Sequence, residues 1–489
     1  MKRIKKVLLV NPPAKTNQKA RDINPVPPIG LGYIAAMLEQ RQIKVEIYDM
    51  LGEGWNKEMQ YAQDIVIVGS STEDLIDRIY RFEPDLVGIS NQFTYQKGIV
   101  DALFSAVKSE FPQVVTVIGG ASPTVIPEIT MGNKAIDYAI LSEGEYRMIH
   151  LVDYLEGRKS PEEIDGLVYR KGDKLIVNPV LSFIQNLDNI PFPAHHLFNW
   201  DVYFNINTSH GTRKTDRYCP IVSSRGCTVG CVFCCVERIW GRKHRVRNVN
   251  NVIQELKTIK DKYGIKEVMF EDDNLTLNMK RAGEMFGAMA QEKLNLIWDT
   301  PNGVSPFALS NELLDKMKAS GCVQVNLAVE SGNQNVLKNI MSKPVKLSTV
   351  KSLVNHCRKI DLPVSAFLIV GMPGETIEQM WDSIRFVKKL GIYHPHISVA
   401  TPYPGTDLYD ICKEKGYLKP DFSYDDLFIR SFSITTPQWD SEQLQKFLAK
   451  AEKYLHTEER KNLSGMDKVD YIFSKIQRVK KLSQRFLPH

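Results

Sequence analysis

The strongest constraint on the fold is an alternation that the chain runs through twice. Up to residue 145, short apolar runs are separated by helical patterns such as GLGYIAAMLEQRQ and QKGIVDALFSAVKSEF. The runs are KVLLV (6–10), KVEIYDM (44–50), DIVIVGS (64–70), DLVGIS (85–90), VVTVIGG (114–120) and DYAILSEGE (137–145). Apolar strands joined by helices require right-handed crossovers and a parallel sheet with helices on both faces. Residues 1–150 are therefore expected to form an α/β, doubly wound (Rossmann-like) domain with a ligand site at its strand C-termini.

After residue 220 the alternation returns with a longer period, in PIVSS, KEVMFED, NLIWDT, CVQVNLAVE, PVSAFLIVG and HISVA. Amphipathic segments such as VNNVIQELKTIKDKYG lie between them and end near glycine, a helix stop signal. Six strand-helix units predict a partial (β/α)6 barrel of TIM type over residues 201–416, since a closed barrel needs about eight. Residues 151–200 read as a connector, with a hairpin turning at Lys171-Gly172-Asp173 and a proline-bearing DNIPFPAHH. Residues 417–489 read as mostly helical. There Val469, Ile472, Phe473, Ile476 and Val479 mark one apolar face on a basic segment, which suits packing on the barrel or lying on a membrane surface.

The 489 residues exceed one ordinary core, and 63 basic against 57 acidic residues leave a net charge of +6, too diffuse to point to nucleic acid. MKRIKKVLLVNPP is too short in apolar residues for a signal-peptide core, and no run approaches the roughly 18 apolar residues of a membrane span. A cytoplasmic enzyme is the expectation. Eight cysteines in so long a chain are not a disulfide framework, and three of them, Cys227, Cys231 and Cys234, fall on the loop after PIVSS. A loop with three thiolates at a barrel-strand C-terminus suits a metal cluster with one open iron, whereas structural zinc takes four ligands. A zinc site completed by Cys219 or Cys235 is the alternative.

The CxxxCxxC spacing in SSRGCTVGCVFCC resembles the radical S-adenosylmethionine superfamily. That resemblance implies a 4Fe-4S cluster on Cys227, Cys231 and Cys234, with S-adenosylmethionine on the open iron and Phe233 near its adenine. LAVESG resembles the family strand end that holds the cofactor's polar groups, giving Glu330 and Ser331, and FLIVGMPGET resembles the segment near the adenine, giving Gly371 and Gly374. FEDDNL and TPYPGTDLY match the cobalamin-binding subgroup and give Asp272, Asp273, Asn274, Tyr403 and Thr406 as active-site candidates, with Asp272, Asp273 and Tyr403 as catalytic ones. Arg245 and Arg247 are candidates for a carboxylate or for corrin propionamides.

The N-terminal domain extends the likeness to cobalamin-binding radical enzymes, through NPP, PPIGLGYIAAML, GGASPT and SEGE. Asn11, Pro12, Ser90, Asn91, Gly119, Gly120, Ser122, Glu143 and Gly144 are the implied cobalamin contacts, and Gly119 and Gly120 leave room for a nucleotide tail. The DxHxxG motif is absent and Ser122 stands where the family often has histidine, so a protein ligand to cobalt is not implied; a purely structural domain is the alternative. The resemblance implies methyl transfer to an unactivated carbon through methylcobalamin and a 5'-deoxyadenosyl radical, with an external one-electron reductant. Rearrangement, cyclisation or ring contraction without net methylation is the second reading, and a non-enzymatic metal- or cobalamin-binding sensor the third. The substrate, a small molecule, a lipid or a peptide, is left open.

Overall fold

A computed structural model describes residues 3–18, 23–206, 208–211, 213–427 and 432–462. In chain order the first ten strands are β1 (Lys6–Asn11), β2 (Ala14–Asn17), β3 (Lys44–Asp49), β4 (Glu58–Ala62), β5 (Ile65–Val68), β6 (Leu86–Ser90), β7 (Val115–Gly119), β8 (Tyr138–Ile140), β9 (Leu167–Lys171) and β10 (Lys174–Val177). Seven form one sheet in the order β10-β9-β8-β7-β6-β1-β3. The five strands from β8 to β3 are parallel, and β1 pairs with both β3 and β6. The chain therefore reverses its direction of growth between β1 and β6, and the crevice outside their C-termini is where such sheets bind ligands. Helices cover both faces, and the apolar cores on the two sides are separate.

Two segments depart from expectation. The run at 64–70 is not in the parallel sheet: β5 pairs antiparallel with β2 and β4 in a small sheet of its own. Its alternate residues are buried, whereas the four central residues of β1 are all buried. The apolar residues of both strands are Val, Ile and Leu, so one-faced and two-faced burial look alike in sequence. The connector hairpin forms, with Gly172 at φ +61° in the turn, but β9 adds antiparallel to β8 and extends the first sheet.

The barrel strands are β11 (Tyr218–Ile221), β14 (Glu267–Phe270), β15 (Ile297–Asp299), β16 (Val325–Glu330), β17 (Val364–Val370) and β18 (His396–Val399). The two-residue β12 (Ser224–Arg225) and β13 (Arg245–Val246) pair beside the mouth. The six barrel strands form two parallel triplets, β11-β14-β15 and β16-β17-β18, joined by the parallel bridges Trp298 to Cys322 and Val304 to Leu327. Outward residues such as Val268, Phe270, Trp298, Leu327 and Leu368 pack under the surrounding helices in one core. Helix ends follow local chemistry: Thr376 and Gln379 make a reciprocal capping box, and Gly264 closes a helix in the left-handed conformation. Helix Ser441–Asn462 lies across helix Ile377–Lys389, with Phe447 edge-on to Trp381 at 5.2 Å. The apolar face at Val469–Val479 lies outside the described residues. Among the described residues no helix is long and apolar enough to cross a membrane.

Candidate active site

The cysteine loop is pinned from three directions. Gly226 turns at φ +84°, where an added Cβ would meet the Lys243 carbonyl oxygen at 2.5 Å, and its N–H donates to Asp273 Oδ2 at 2.8 Å. Val232 N–H donates to the Met341 carbonyl at 3.2 Å, and the Val232 carbonyl accepts from Leu408 N–H at 2.8 Å. Cys234 N–H closes a turn on Cys231, and Asn274 Nδ2 approaches Cys227 Sγ at 4.0 Å. All three cysteines are free and partly buried. Burial pushes the Cys231 and Cys234 thiols up to about 11 and about 12, while the Lys343 ammonium pulls Cys231 the other way. Thiols so disfavoured as free thiolates need a bound cationic centre to ionise. Among the described residues no three His, Cys, Asp or Glu side chains converge as ligands of one ion, the arrangement mononuclear zinc requires. A cluster takes each cysteine on its own iron, and the loop fits that use.

Around this loop the barrel strand ends supply charge and backbone. Glu330 ends β16 at φ +66°, buried, with its Oε1 accepting from Lys343 Nζ at 2.7 Å. The Lys343 ammonium also lies 5.9 Å from the Phe233 ring centre. Lys343 had no motif to mark it; a lysine set in MSKP beside apolar residues was the only signal. Ser331 points elsewhere, its hydroxyl meeting Ser383 Oγ and accepting from Asn333 N–H, both at 3.1 Å. Gly371 turns at φ +81°, and its N–H and that of Met372 donate to Glu375 Oε2 at 2.9 and 3.1 Å. Asp272 is buried and accepts from Ser223 N–H and Oγ–H at 3.0 and 2.8 Å and from Ser224 Oγ, so it braces the loop base. Asp273 carries a carboxyl raised by burial to about 6, and Asn274 Oδ1 is buried without a partner. The Tyr403 hydroxyl, beside Cys235, is pushed by burial to about 12, and Thr406 caps the helix that follows.

Glu375 yields a stability test. Its Oε1 has no partner, and burial raises its carboxyl to about 8. A folded-state value above the unfolded one means stability is full below about 4.5 and is lost as pH rises through about 8. The unfolding free energy from urea titrations should therefore fall across that window in the parent protein, by a few kcal/mol at most, and should be flatter in Glu375→Gln. Parallel curves for the two proteins would overturn this.

At the β1/β6 crevice, Asn11 Nδ2 donates to Asp49 Oδ1 at 2.7 Å and its Oδ1 accepts from Ser90 Oγ at 3.4 Å. Pro12 follows β1 directly and is buried. Asn91 Nδ2 and Oδ1, Thr94 Oγ1 and Ser122 Oγ are all buried and without a partner. Four orphaned atoms in one crevice are expensive unless a polar ligand meets them. Gly119 has open space beyond an Ile140 carbonyl 3.8 Å from its would-be Cβ, and Gly120 sits at φ +111° against the Asn91 carbonyl. Such a cradle fits the amide-rimmed corrin and tail of cobalamin. Gly120→Ala would drive a Cβ to 2.5 Å from Asn91 O and is expected to lose most bound cobalamin, read as cobalt per chain; full cobalt loading would count against the cradle.

Glu143 and Gly144 stand apart from that crevice in their contacts. Glu143 is buried in ion pairs with Arg225 and Arg245 at 2.8 Å and accepts from Ile184 N–H, and Gly144 packs on Ile34. Arg247 pairs instead with Glu255 and Asn251. The Glu143 clamp joins the two domains. Beside it, the short helix Ala121–Val125, which opens at Gly120, packs against helix Val236–Trp240, which opens at Cys235. The loops that begin at Gly120 and end at Cys235 are thereby brought against one domain boundary, and the Tyr95 hydroxyl lies within electrostatic reach of the Tyr403 hydroxyl.

Comparison with known proteins matches two family models to separate stretches of the chain. The Radical SAM superfamily model matches residues 221–387 and the B12 binding domain model residues 23–152. The chain is 33% identical to cytidylyl-2-hydroxyethylphosphonate methyltransferase of Streptomyces wedmorensis over 92% of this chain and 89% of that protein. It is 32% identical to an uncharacterized methyltransferase of Pyrococcus horikoshii over 92% of both. Its fold is like that of the cobalamin-dependent S-adenosylmethionine radical enzyme OxsB, with a TM-score of 0.73 at 14% identity over 98% of this chain and 72% of that one. TsrM from Kitasatospora setae, solved with cobalamin and a [4Fe-4S] cluster bound, gives 0.69 at 17% identity over 90% and 84%. With both cofactor domains matched and full-length relatives above 30% identity, the chain belongs to the cobalamin-binding radical S-adenosylmethionine enzymes.

Proposed function

We propose that the protein transfers a methyl group to an unactivated carbon of a small polar molecule, a phosphonate nucleotide in class. The observation that supports this reading is the contact between the two domains: helix Ala121–Val125, which opens beside the orphaned polar atoms of Asn91, Thr94 and Ser122, packs against helix Val236–Trp240, which follows the cysteine loop. When bound, the cluster with S-adenosylmethionine supplies a hydrogen-abstracting radical and cobalamin carries the methyl group.

The chain's own work is positional. Cys227, Cys231 and Cys234 hold the cluster, and Asp273 and Asn274 set the loop around them. The Glu330–Lys343 pair, Phe233 and the Gly371 turn receive S-adenosylmethionine. Tyr95 and Tyr403, buried and with hydroxyls that stay protonated, are placed to keep water from the region between the two domains. The substrate class is taken from the Streptomyces relative.

The test is an anaerobic assay with cluster, cobalamin, reductant, S-adenosylmethionine and cytidylyl-2-hydroxyethylphosphonate. A product heavier by one methylene, formed with S-adenosylhomocysteine, is the expected result. 5'-Deoxyadenosine with no gain in substrate mass would overturn methyl transfer in favour of a rearrangement or cyclisation. The latter has precedent in the anaerobic magnesium-protoporphyrin IX monomethyl ester cyclase of Rubrivivax gelatinosus, 24% identical over 72% of this chain and 63% of that protein.

A further inference from the structure

One titratable pair at the barrel mouth is used by none of the sites above. Along β14 the side chains alternate, Val268 and Phe270 into the core under the helices and Met269 to the opposite face, in the cluster with Tyr203 and Tyr218, and Glu271 follows on that second face just past the strand. Glu271 Oε2 accepts from Asn302 Nδ2 at 3.3 Å, and the Glu271 carbonyl accepts from the same amide at 3.0 Å. Its Oε2 also meets His210 Nδ1 at 2.8 Å, while its Oε1 is buried without a partner. His210 reaches this position because the segment before β11 runs beside β14: Gly211 N–H points at Met269 Sδ at 3.4 Å, and Lys214 and Thr215 N–H groups donate to Glu267.

A carboxylate fixed by an amide and bonded to Nδ1 sets the tautomer of a histidine, leaving the Nε2 lone pair outward. The His210 side chain is 46% exposed against 17% for Glu271, so it is the outer member of the pair. The charged groups facing it are Glu271 and Asp299; Arg213 on its own segment is turned to the carbonyls of Tyr203, Phe204, Ile206, Thr208, Thr215 and Asp216. Two carboxylates, with no cation among the described residues acting on the ring, make this a poor place for an anion and a suitable one for an O–H donor. We propose that His210, oriented by Glu271 and Asn302, accepts a hydrogen bond at Nε2 from a hydroxyl group of the substrate and so selects hydroxylated over deoxy substrates. Glu271 and Asn302 act through His210 and are positioning residues. The inference rests on the methyl-transfer reading above for the substrate's class, but not for the geometry of the pair.

The protonated ring cannot accept, so the hydrogen bond forms as pH rises through the imidazole value. Burial lowers that value, but the bond and charge of Glu271 outweigh it, and it lies above the ordinary one. The test measures equilibrium binding of cytidylyl-2-hydroxyethylphosphonate and of its analogue with hydrogen in place of the hydroxyl to the cofactor-loaded full chain. The parent protein is expected to favour the hydroxylated ligand by about tenfold above the imidazole value. His210→Ala should bind both equally, and His210→Gln, whose amide oxygen also accepts, should restore part of the preference. In parallel, carbethoxylation of His210 read by mass spectrometry should show its pH midpoint falling in Glu271→Gln. A preference that survives in His210→Ala, an absent preference in the parent, or an unmoved midpoint would each overturn the proposal. S-adenosylmethionine cleavage on the same samples separates the two readings: normal methylated product without hydroxyl preference sinks only this inference, and no methylated product from the parent sinks the reading beneath it.

Discussion

Anaerobically prepared protein is expected to be brown with about four irons and four sulfides per chain, and replacing Cys227, Cys231 and Cys234 together by alanine is expected to abolish both. S-adenosylmethionine cleavage should fall to the uncatalysed background, because the only route to it runs through the open iron. The fold should survive: the three side chains are partly exposed, and the loop is held by the backbone bonds of Val232 with Met341 and Leu408 and by the Asp273 carboxylate on Gly226 N–H, all of which the substitutions leave in place. Circular dichroism and iron analysis on the same sample decide the matter. Iron retained at parental levels in the triple variant would mean that the cluster sits elsewhere. Loss of fold along with iron would mean that the thiols also support the loop.

The second large effect is expected at Glu143. Its carboxylate serves two guanidiniums at once, Arg225 from β12 and Arg245 from β13, with side chains only 6% and 4% exposed. Arg225 keeps Glu145 as a second partner, but Arg245 is left with the carbonyls of Ile184 and Trp240. Glu143→Ala would thus leave buried positive charge uncompensated, at a cost of roughly 3–5 kcal/mol. A drop in melting temperature on the order of ten degrees is expected, together with earlier release of the N-terminal domain in limited proteolysis. A melting curve that overlays the parent's would show that the clamp contributes nothing net.

The parts that were legible in the sequence are those written locally. Both alternating series gave the two domains because apolar runs of strand length between helical periods have few other uses, and the CxxxCxxC spacing marked the cluster loop because three thiols so close together at a strand end have a narrow chemistry. Gly120 was legible in the sequence for the space a glycine leaves beside the backbone, and the structure adds a backbone angle of +111° against Asn91 that a side chain would strain. What escaped depends on pairings across long separations. Glu143 reads as a polar residue at a strand end, and nothing near it announces arginines 82 and 102 positions away. Ser331 and Asp272 lie at the expected strand ends, yet Ser383 and the Ser223–Ser224 pair take up their polar atoms. The separate sheet of β5 escaped because register, not composition, decides which face a Val-Ile strand buries.

The clamp around Glu143 also limits how this architecture can be taken apart. Severed from the barrel, the N-terminal domain would present Glu143 and Glu145 as unpaired acids, and the barrel would present Arg225 and Arg245 over the rings of Tyr33's vacated place, Trp240 and Phe183. Each half would then carry a complementary charged scar. A chimera that exchanges one domain for that of a relative is therefore expected to assemble only when the acids and the arginines travel together.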